Sequence, residues 1–215
     1  MGWSRHHKNG LIHSSPQRSW PGYTLTATRG GLYANLLDMR GEVCHRWYHA
    51  EGLNYGFLLP NGNLLARTGS APEGMGIGGS SKSIVELDWD SNVVWETRYP
   101  LLHHDFHRTE SGTTLALAWE TLPKELTDAV GGGYQEDGAA PDMWGDKVVE
   151  IAQDGTVLNT YNVWEHLDTA VDVICPLENR REWTHANSIS LTPDGEFLIS
   201  FRQTSTIGIV DRKSG

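Results

Sequence analysis

Apolar and polar residues alternate along the chain in short runs, and Gly, Pro, Asn and Asp break the runs at close intervals. A period of two places successive side chains on opposite faces of a strand. Residues 22–28 alternate and are rich in Thr. Residues 32–38 then meet a turn at 39–42 and continue as 43–48, which reads as a hairpin. No stretch holds apolar residues at helical spacing over three turns.

The pattern repeats. Residues 56–59 run through a Pro-Asn-Gly turn into 63–67; after a Gly-rich loop, 83–88 turn at 89–92 into 93–97. A third copy comprises 103–108, 113–118, 147–152 and 156–161, and a fourth comprises 184–189, 196–201 and 206–210. A complete copy is four strands, A to D, with a Gly turn between A and B. That is the layout of a propeller blade. The first copy lacks strand A and the last lacks strand D. The expected fold is all-β, a β-propeller of four-stranded antiparallel blades with about four blades present, residues 1–16 being an N-terminal extension and 17–215 the blades of an incomplete ring. A small ring closed by residues 10–13 as a last strand is the alternative. Two loops are expanded, 120–146 and 165–182. Trp and aliphatic residues in and beside them, Trp144, Leu167, Ile174 and Trp183, predict ordered segments that cover something.

The chain has 17 Lys and Arg against 27 Asp and Glu, a net charge of −10. This balance argues against nucleic acid, whose phosphates demand basic residues, and against an anionic membrane surface. No run approaches the roughly 20 apolar residues of a membrane span. Cys44 and Cys175 each sit in an apolar or aromatic stretch, which predicts two buried thiols. The first residues are polar and lack the apolar core of a signal peptide, so the cytoplasm is the default compartment.

The candidate chemistry lies in the histidines. His104 is eight residues before Gly112 and His185 ten before Gly195, each Gly closing an A–B turn. Both therefore open an innermost strand, and the repeat predicts that they converge at one mouth of the propeller channel. Arg202 follows strand B of the fourth copy, and periodicity alone does not aim it. Two other readings stand beside this one. The histidines could tie adjacent blades by hydrogen bonds. They could also ligate a metal with an acid such as Asp105, although there is no HExxH or CxxC. His6, His7 and His13 are terminal, His45 and His49 fall on an outer strand, His107 is a strand residue, and His166 lies at the base of a long loop.

Residues 21–25 (PGYTL), 58–64 (LLPNGNL), 103–105 (HHD), 183–189 (WTHANSI) and 200–202 (SFR) carry a family resemblance. On them the sequence resembles the bacterial arylsulfate sulfotransferases, six-bladed propellers that use no nucleotide sulfate donor. The resemblance implies transfer of a sulfuryl group from an aryl sulfate to a phenol, at a site of three histidines and one arginine near the propeller axis. The match carries the first histidine to His104 (its neighbour His103 being the alternative), the second to His185 and the arginine to Arg202. The family's third histidine, its nucleophile, lies in a later blade, and no residue here matches it. Asp105 and Asn187 are candidates to orient His104 and His185, ordinary strand-end hydrogen bonding being the other reading. No nucleotide, metal or nicotinamide cofactor is implied. The implied partners are small aryl sulfates and phenols, with no nucleic acid and no membrane, and the oligomeric state stays open. Family members are often exported, which makes the periplasm the alternative compartment. The competing function is a non-catalytic propeller used for binding, or an inactive fragment.

Overall fold

A computed structural model describes residues 10–69, 78–135 and 142–212. The chain divides into two compact units, one of residues 1–70 and 83–97, the other of residues 71–82 and 98–215.

The first unit holds two antiparallel sheets. Strands β1 (Thr24–Ala27), β2 (Tyr33–Leu37) and β3 (Val43–Tyr48) pair in that order. Strands β4 (Leu53–Leu58), β5 (Leu64–Thr68), β6 (Ser83–Leu87) and β7 (Val93–Thr97) make a four-stranded meander. The central strands β5 and β6 are buried on both faces, whereas the edge strands β3 and β7 alternate and expose one face. The core joins Leu36, Trp47, Leu53, Leu64, Ala66 and Val85. Trp47 is wholly buried, and its indole N–H donates to the Asp88 carbonyl at 3.1 Å, so its one polar atom is satisfied.

The second unit begins with β8 (Leu102–Arg108) and β9 (Thr114–Thr121), and then β11 (Trp144–Ile151) and β12 (Val157–Asn162) complete a sheet of order β12-β11-β9-β8. Strands β14 (Ala186–Leu191), β15 (Phe197–Phe201) and β16 (Thr206–Val210) form a three-stranded sheet. The two inner strands β8 and β14 lie side by side: the Ile189 N–H donates to the Asp105 carboxylate at 2.9 Å, and Leu115, Leu117, Val148, Ile189, Phe197 and Ile199 share one core.

The fold is all-β, of antiparallel propeller-type blades, with strand A missing from the first sheet and strand D from the last, as the pattern of residues predicts. Residues 10–13 form no strand. The expanded loops carry three elements that periodicity does not reveal: helix α1 (Lys124–Ala129), β10 (Gly132–Tyr134) and β13 (Ile174–Asn179), the last two paired in parallel. Leu122, Val130, Met143, Ile174 and Trp183 form a core of their own beneath them. The prediction of two buried thiols does not hold. Cys44 is exposed and Cys175 half-buried, and both are free. Cys44 lies on the edge strand β3, where alternation turns His45 and Trp47 inward and leaves Cys44 on the solvent face.

Candidate paired-histidine site

The N-terminal ends of β8 and β14 depart from regular strand geometry. In the pairing of β8 with β9 the register slips between His103 and Phe106, leaving His104 and Asp105 in a bulge. In the pairing of β14 with β15 it slips between Ala186 and Ser188, around Asn187. His104 has φ +42° and His185 φ +52°. This left-handed backbone is uncommon outside Gly and costs roughly 1–3 kcal/mol at each residue. The surroundings over-determine both. The His104 N–H donates to the Gly79 carbonyl at 2.8 Å, and a Cβ on Gly79 would stand 2.1 Å from Cε1 of the His104 ring. Only Gly allows that approach.

The His104 and His185 rings meet with centroids 4.5 Å apart, inclined at 63°. His185 is 9% exposed and His104 half-buried. Behind them lies a polar network. His103, 1% exposed, stacks on the Trp119 indole at 4.2 Å, and its Nδ1 is 3.1 Å from Nδ1 of His104. Its Nε2 lies 3.1 Å from Oδ1 of Asp146. That contact is bent away from a linear hydrogen bond, yet neither atom has a hydrogen-bond partner elsewhere among the described residues, so it is an electrostatic pairing of two buried atoms. On the other side, Nδ1 of His185 is 2.8 Å from Oε1 of Glu182, whose Oε2 accepts the Trp119 indole N–H at 2.9 Å.

Burial pushes the Asp146 carboxyl up. The His103 ring, the Thr184 hydroxyl and the Ala186 N–H outweigh that and hold it below the usual carboxylate range. Thr184 Oγ1 and the Ala186 N–H both donate to Oδ2, the latter at 2.8 Å. Asp146 on β11 thereby anchors the segment that presents His185.

Arg202 is next to the pair through its backbone: its N–H donates to the His185 carbonyl at 3.1 Å. Its guanidinium is half-exposed and donates to Glu178 of β13 at 2.6 Å. The rings of His104 and His185 thus meet, and Arg202 adjoins them by backbone while its fork is held by the loop strand. The two histidines do not occupy equivalent rungs. Ala186 faces Phe201 and Leu102 faces Ala118, so His185 corresponds to Leu101, not to His104. Counting back from the turn glycines places the strand ends but misses the bulges, which insert unequal numbers of residues. Asp105 ties β8 to β14 and accepts the Phe106 N–H, while Asn187 is exposed; it is Glu182 that partners His185. His45 stacks on Trp89, and His166 is exposed and stacks on Tyr161, both in other parts of their units; His6 and His7 lie outside the described residues.

Glu182, Asp146, Trp119 and Gly79 carry no local signal of a role. Glu182 three residues before His185 is the nearest to one. Among the described residues no three His, Cys, Asp or Glu side chains are set to hold a metal ion. Open clefts of about 520 Å³ and 610 Å³ lie at the turn ends of these blades, near Gly195 and Arg212, and are not lined by His104, His185 or Arg202.

Two histidine rings are thus brought into contact at adjoining blades, with Arg202 next to them by backbone. The chain belongs to the arylsulfotransferase (ASST) family, whose model matches residues 33–215. Among solved structures it is similar to a protein of unknown function from Bacteroides caccae, with 15% identity over 90% of this chain and a TM-score of 0.47. The chain spans 58% of that protein's length. No relative matches among curated proteins.

Proposed function

We propose that His104, His185 and Arg202 form part of a site that transfers a sulfuryl group from an aryl sulfate to a phenol. The reading is carried by the 4.5 Å approach of two histidine rings, both on left-handed backbone, in a chain of the arylsulfotransferase family. Strain of this kind persists where the surroundings enforce it, and function is its usual setting.

The chemistry asks for fixed charge on the three sulfuryl oxygens and a group that moves a proton at the phenolic oxygen. Arg202 supplies a permanent charge in a planar fork. To use it, the sulfate ester replaces the Glu178 carboxylate that the fork now grips. In its protonated form His185, whose Nδ1–H Glu182 accepts, donates a second hydrogen bond to the sulfuryl group from Nε2. As the S–O bond breaks, its electron pair stays with the aryl oxygen, which takes a proton from His104. An acceptor phenol returns that proton to His104 as its oxygen attacks sulfur. The resemblance implies a covalent sulfohistidine on a third histidine between these halves, which divides the transfer in two. These 215 residues contribute no match to that nucleophile.

Release of nitrophenolate from a nitrophenyl sulfate, with and without added phenol, tests the reading. The 215-residue chain is expected to bind the ester and to release no more than a trace. In a longer form that carries the third histidine, Arg202→Lys should lower kcat about 10²-fold, as removal of one charge-stabilising donor does. An unchanged kcat with only a raised KM rejects the role of Arg202. Multiple turnovers by the 215-residue chain, with a sulfuryl mark on His104 or His185, would move the nucleophile into this pair.

A further inference from the structure

The network behind the two histidines fixes where their hydrogens sit. Asp146 is buried and ionised, so it can only accept, and every group against it must donate. Thr184 and Ala186 donate to Oδ2. His103 therefore turns an N–H at Nε2 towards Oδ1. A neutral His103 with hydrogen on Nε2 has a bare Nδ1, and that nitrogen is 3.1 Å from Nδ1 of His104. His104 must then donate from Nδ1. The second chain is shorter. The Trp119 indole is a donor only, so it claims Oε2 of Glu182, and Oε1 accepts a hydrogen from Nδ1 of His185.

We propose that Glu182, and Asp146 acting through His103, are positioning residues that fix the tautomers of His185 and His104, so that each neutral ring carries its hydrogen on Nδ1 and an unprotonated Nε2. The purpose of this arrangement rests on the sulfuryl-transfer reading; its geometry does not. A bare Nε2 takes the proton from a phenol: the O–H bond breaks, an Nε2–H bond forms, and the electron pair left on oxygen attacks sulfur. The opposite tautomer would present N–H to the phenol and could not act as base. Trp119 serves both chains, stacking on His103 and bonding Glu182, so the two rings are set by one buried indole. A histidine that another group orients through its second nitrogen is a recurring device wherever imidazole acts by one defined atom.

The design makes unequal predictions for two isosteric changes. In Glu182→Gln the side-chain oxygen must stay with the Trp119 N–H, because an indole cannot accept. The new amide NH₂ then faces Nδ1 of His185 and drives its hydrogen to Nε2. In Asp146→Asn the oxygen stays with Thr184 and Ala186, and the NH₂ faces Nε2 of His103. That moves the His103 hydrogen to Nδ1, and in turn moves the His104 hydrogen to Nε2. The effect passes through one ring to the next.

The test is a two-bond ¹H–¹⁵N spectrum of the ¹⁵N-histidine-labelled 215-residue chain at alkaline pH, where it reports which ring nitrogen bears hydrogen. Rings are assigned by single His→Asn variants. In the wild type, His104 and His185 should both show hydrogen on Nδ1. Glu182→Gln should switch His185 alone, and Asp146→Asn should switch His103 and His104 together. Should Asp146→Asn fail to fold, Glu182→Gln still decides. Hydrogen on Nε2 of either ring in the wild type, or an unmoved His185 in Glu182→Gln, overturns the proposal. No substrate enters this measurement, so its failure leaves the transfer reading standing, and a chain with the predicted tautomers that does not bind a nitrophenyl sulfate would reject that reading alone.

Discussion

The inner strand that opens the four-stranded sheet of the first unit and those that open the sheets of the second share one irregular start and use it differently. In the first unit Leu53 faces Thr68, so Gly52 holds the place that Leu101 and His185 hold in the second. All three are left-handed, with φ of 85°, 60° and 52°. Gly52 is also pinned because a Cβ there would come within 2.9 Å of the Gly31 carbonyl oxygen. The bulge that follows contains Asn54 in β4 and Asn187 in β14, and one rung further along it contains His104 and Asp105 in β8. Asn54 satisfies backbone, donating to the Gly69 carbonyl and accepting the Gly30 N–H. Below it the first unit buries a neutral pair of hydroxyls, Thr68 and Ser83, 2.6 Å apart. The second buries Asp146, Glu182, His103 and His185. The start of the inner strand is thus an irregular joint in each of the three copies that have one among the described residues. With Gly52 and Asn54 the joint is structural; in the second unit His185 takes the place of Gly52, His104 sits one rung further along its own strand, and the buried carboxylates behind them make a candidate site.

The largest difference between the joints should appear when one buried partner is removed from each. His103→Ala takes from Oδ1 of Asp146 the one donor that faces it, while Thr184 and Ala186 keep Oδ2, and a buried charged group left short of a partner costs about 3 kcal/mol or more. Thr68→Ala leaves one hydroxyl without its partner, at about 1–3 kcal/mol. Urea unfolding of both variants measures the gap, and equal losses would break the comparison.

A matched pair of glycines comes next. Gly62 and Gly79 are both left-handed, at φ 87° and 92°, but a Cβ on Gly62 meets nothing within 4 Å. Gly62→Ala should cost about 1–2 kcal/mol, the strain of left-handed backbone alone. Gly79→Ala should cost more and displace the His104 ring, which its imidazole resonances report. If the two variants behave alike, the Gly79 contact does not hold the ring.

Acid sharpens the contrast further. The Asp146 value is depressed in the folded chain, so its contribution is present above the unfolded carboxylate value of about 3.9 and is lost as pH falls through the lower folded value. Each unit of depression is worth about 1.4 kcal/mol. The stability difference between wild type and Asp146→Asn should be level near neutrality and shrink below about pH 4. A difference that widens on acidification contradicts the assignment. Asp38 and Asp88 in the first unit are also depressed, Asp38 mainly by the Glu42 N–H and Asp88 mainly by the Asn92 side-chain amide, but they lie at partly exposed turns and should leave little mark.

The strands were legible because period-two runs such as 43–48 and 93–97 match their observed bounds, and because Asp-Gly and Asn-Gly turns demand positive φ. Helix α1 was not, since six residues after a Pro carry too little periodicity, and β10 begins with two glycines and exists because β13 pairs with it. Turn spacing places His104 and His185 at the starts of their strands but misses the bulges, and Arg202 comes from the motif alone. Asp146 and Glu182 were not: Asp146 is separated from His103 by a long insertion, and a carboxylate's partner across such a distance leaves no pattern in sequence. The adjacent His103 and His104 were interchangeable by chemistry alone, and only burial against Trp119 and Asp146 separates the ring that supports from the ring that meets His185.

The central claim is that His104, His185 and Arg202 receive one sulfate ester. Titration of the ¹⁵N-histidine-labelled 215-residue chain with a nitrophenyl sulfate tests it most directly. The account predicts that the His104 and His185 resonances move together and saturate at a single ligand concentration, that His45 and His166 stay still, and that Arg202→Ala removes the response. Saturable binding that leaves both rings unmoved, or an equal response to nitrophenol without sulfate, would contradict it.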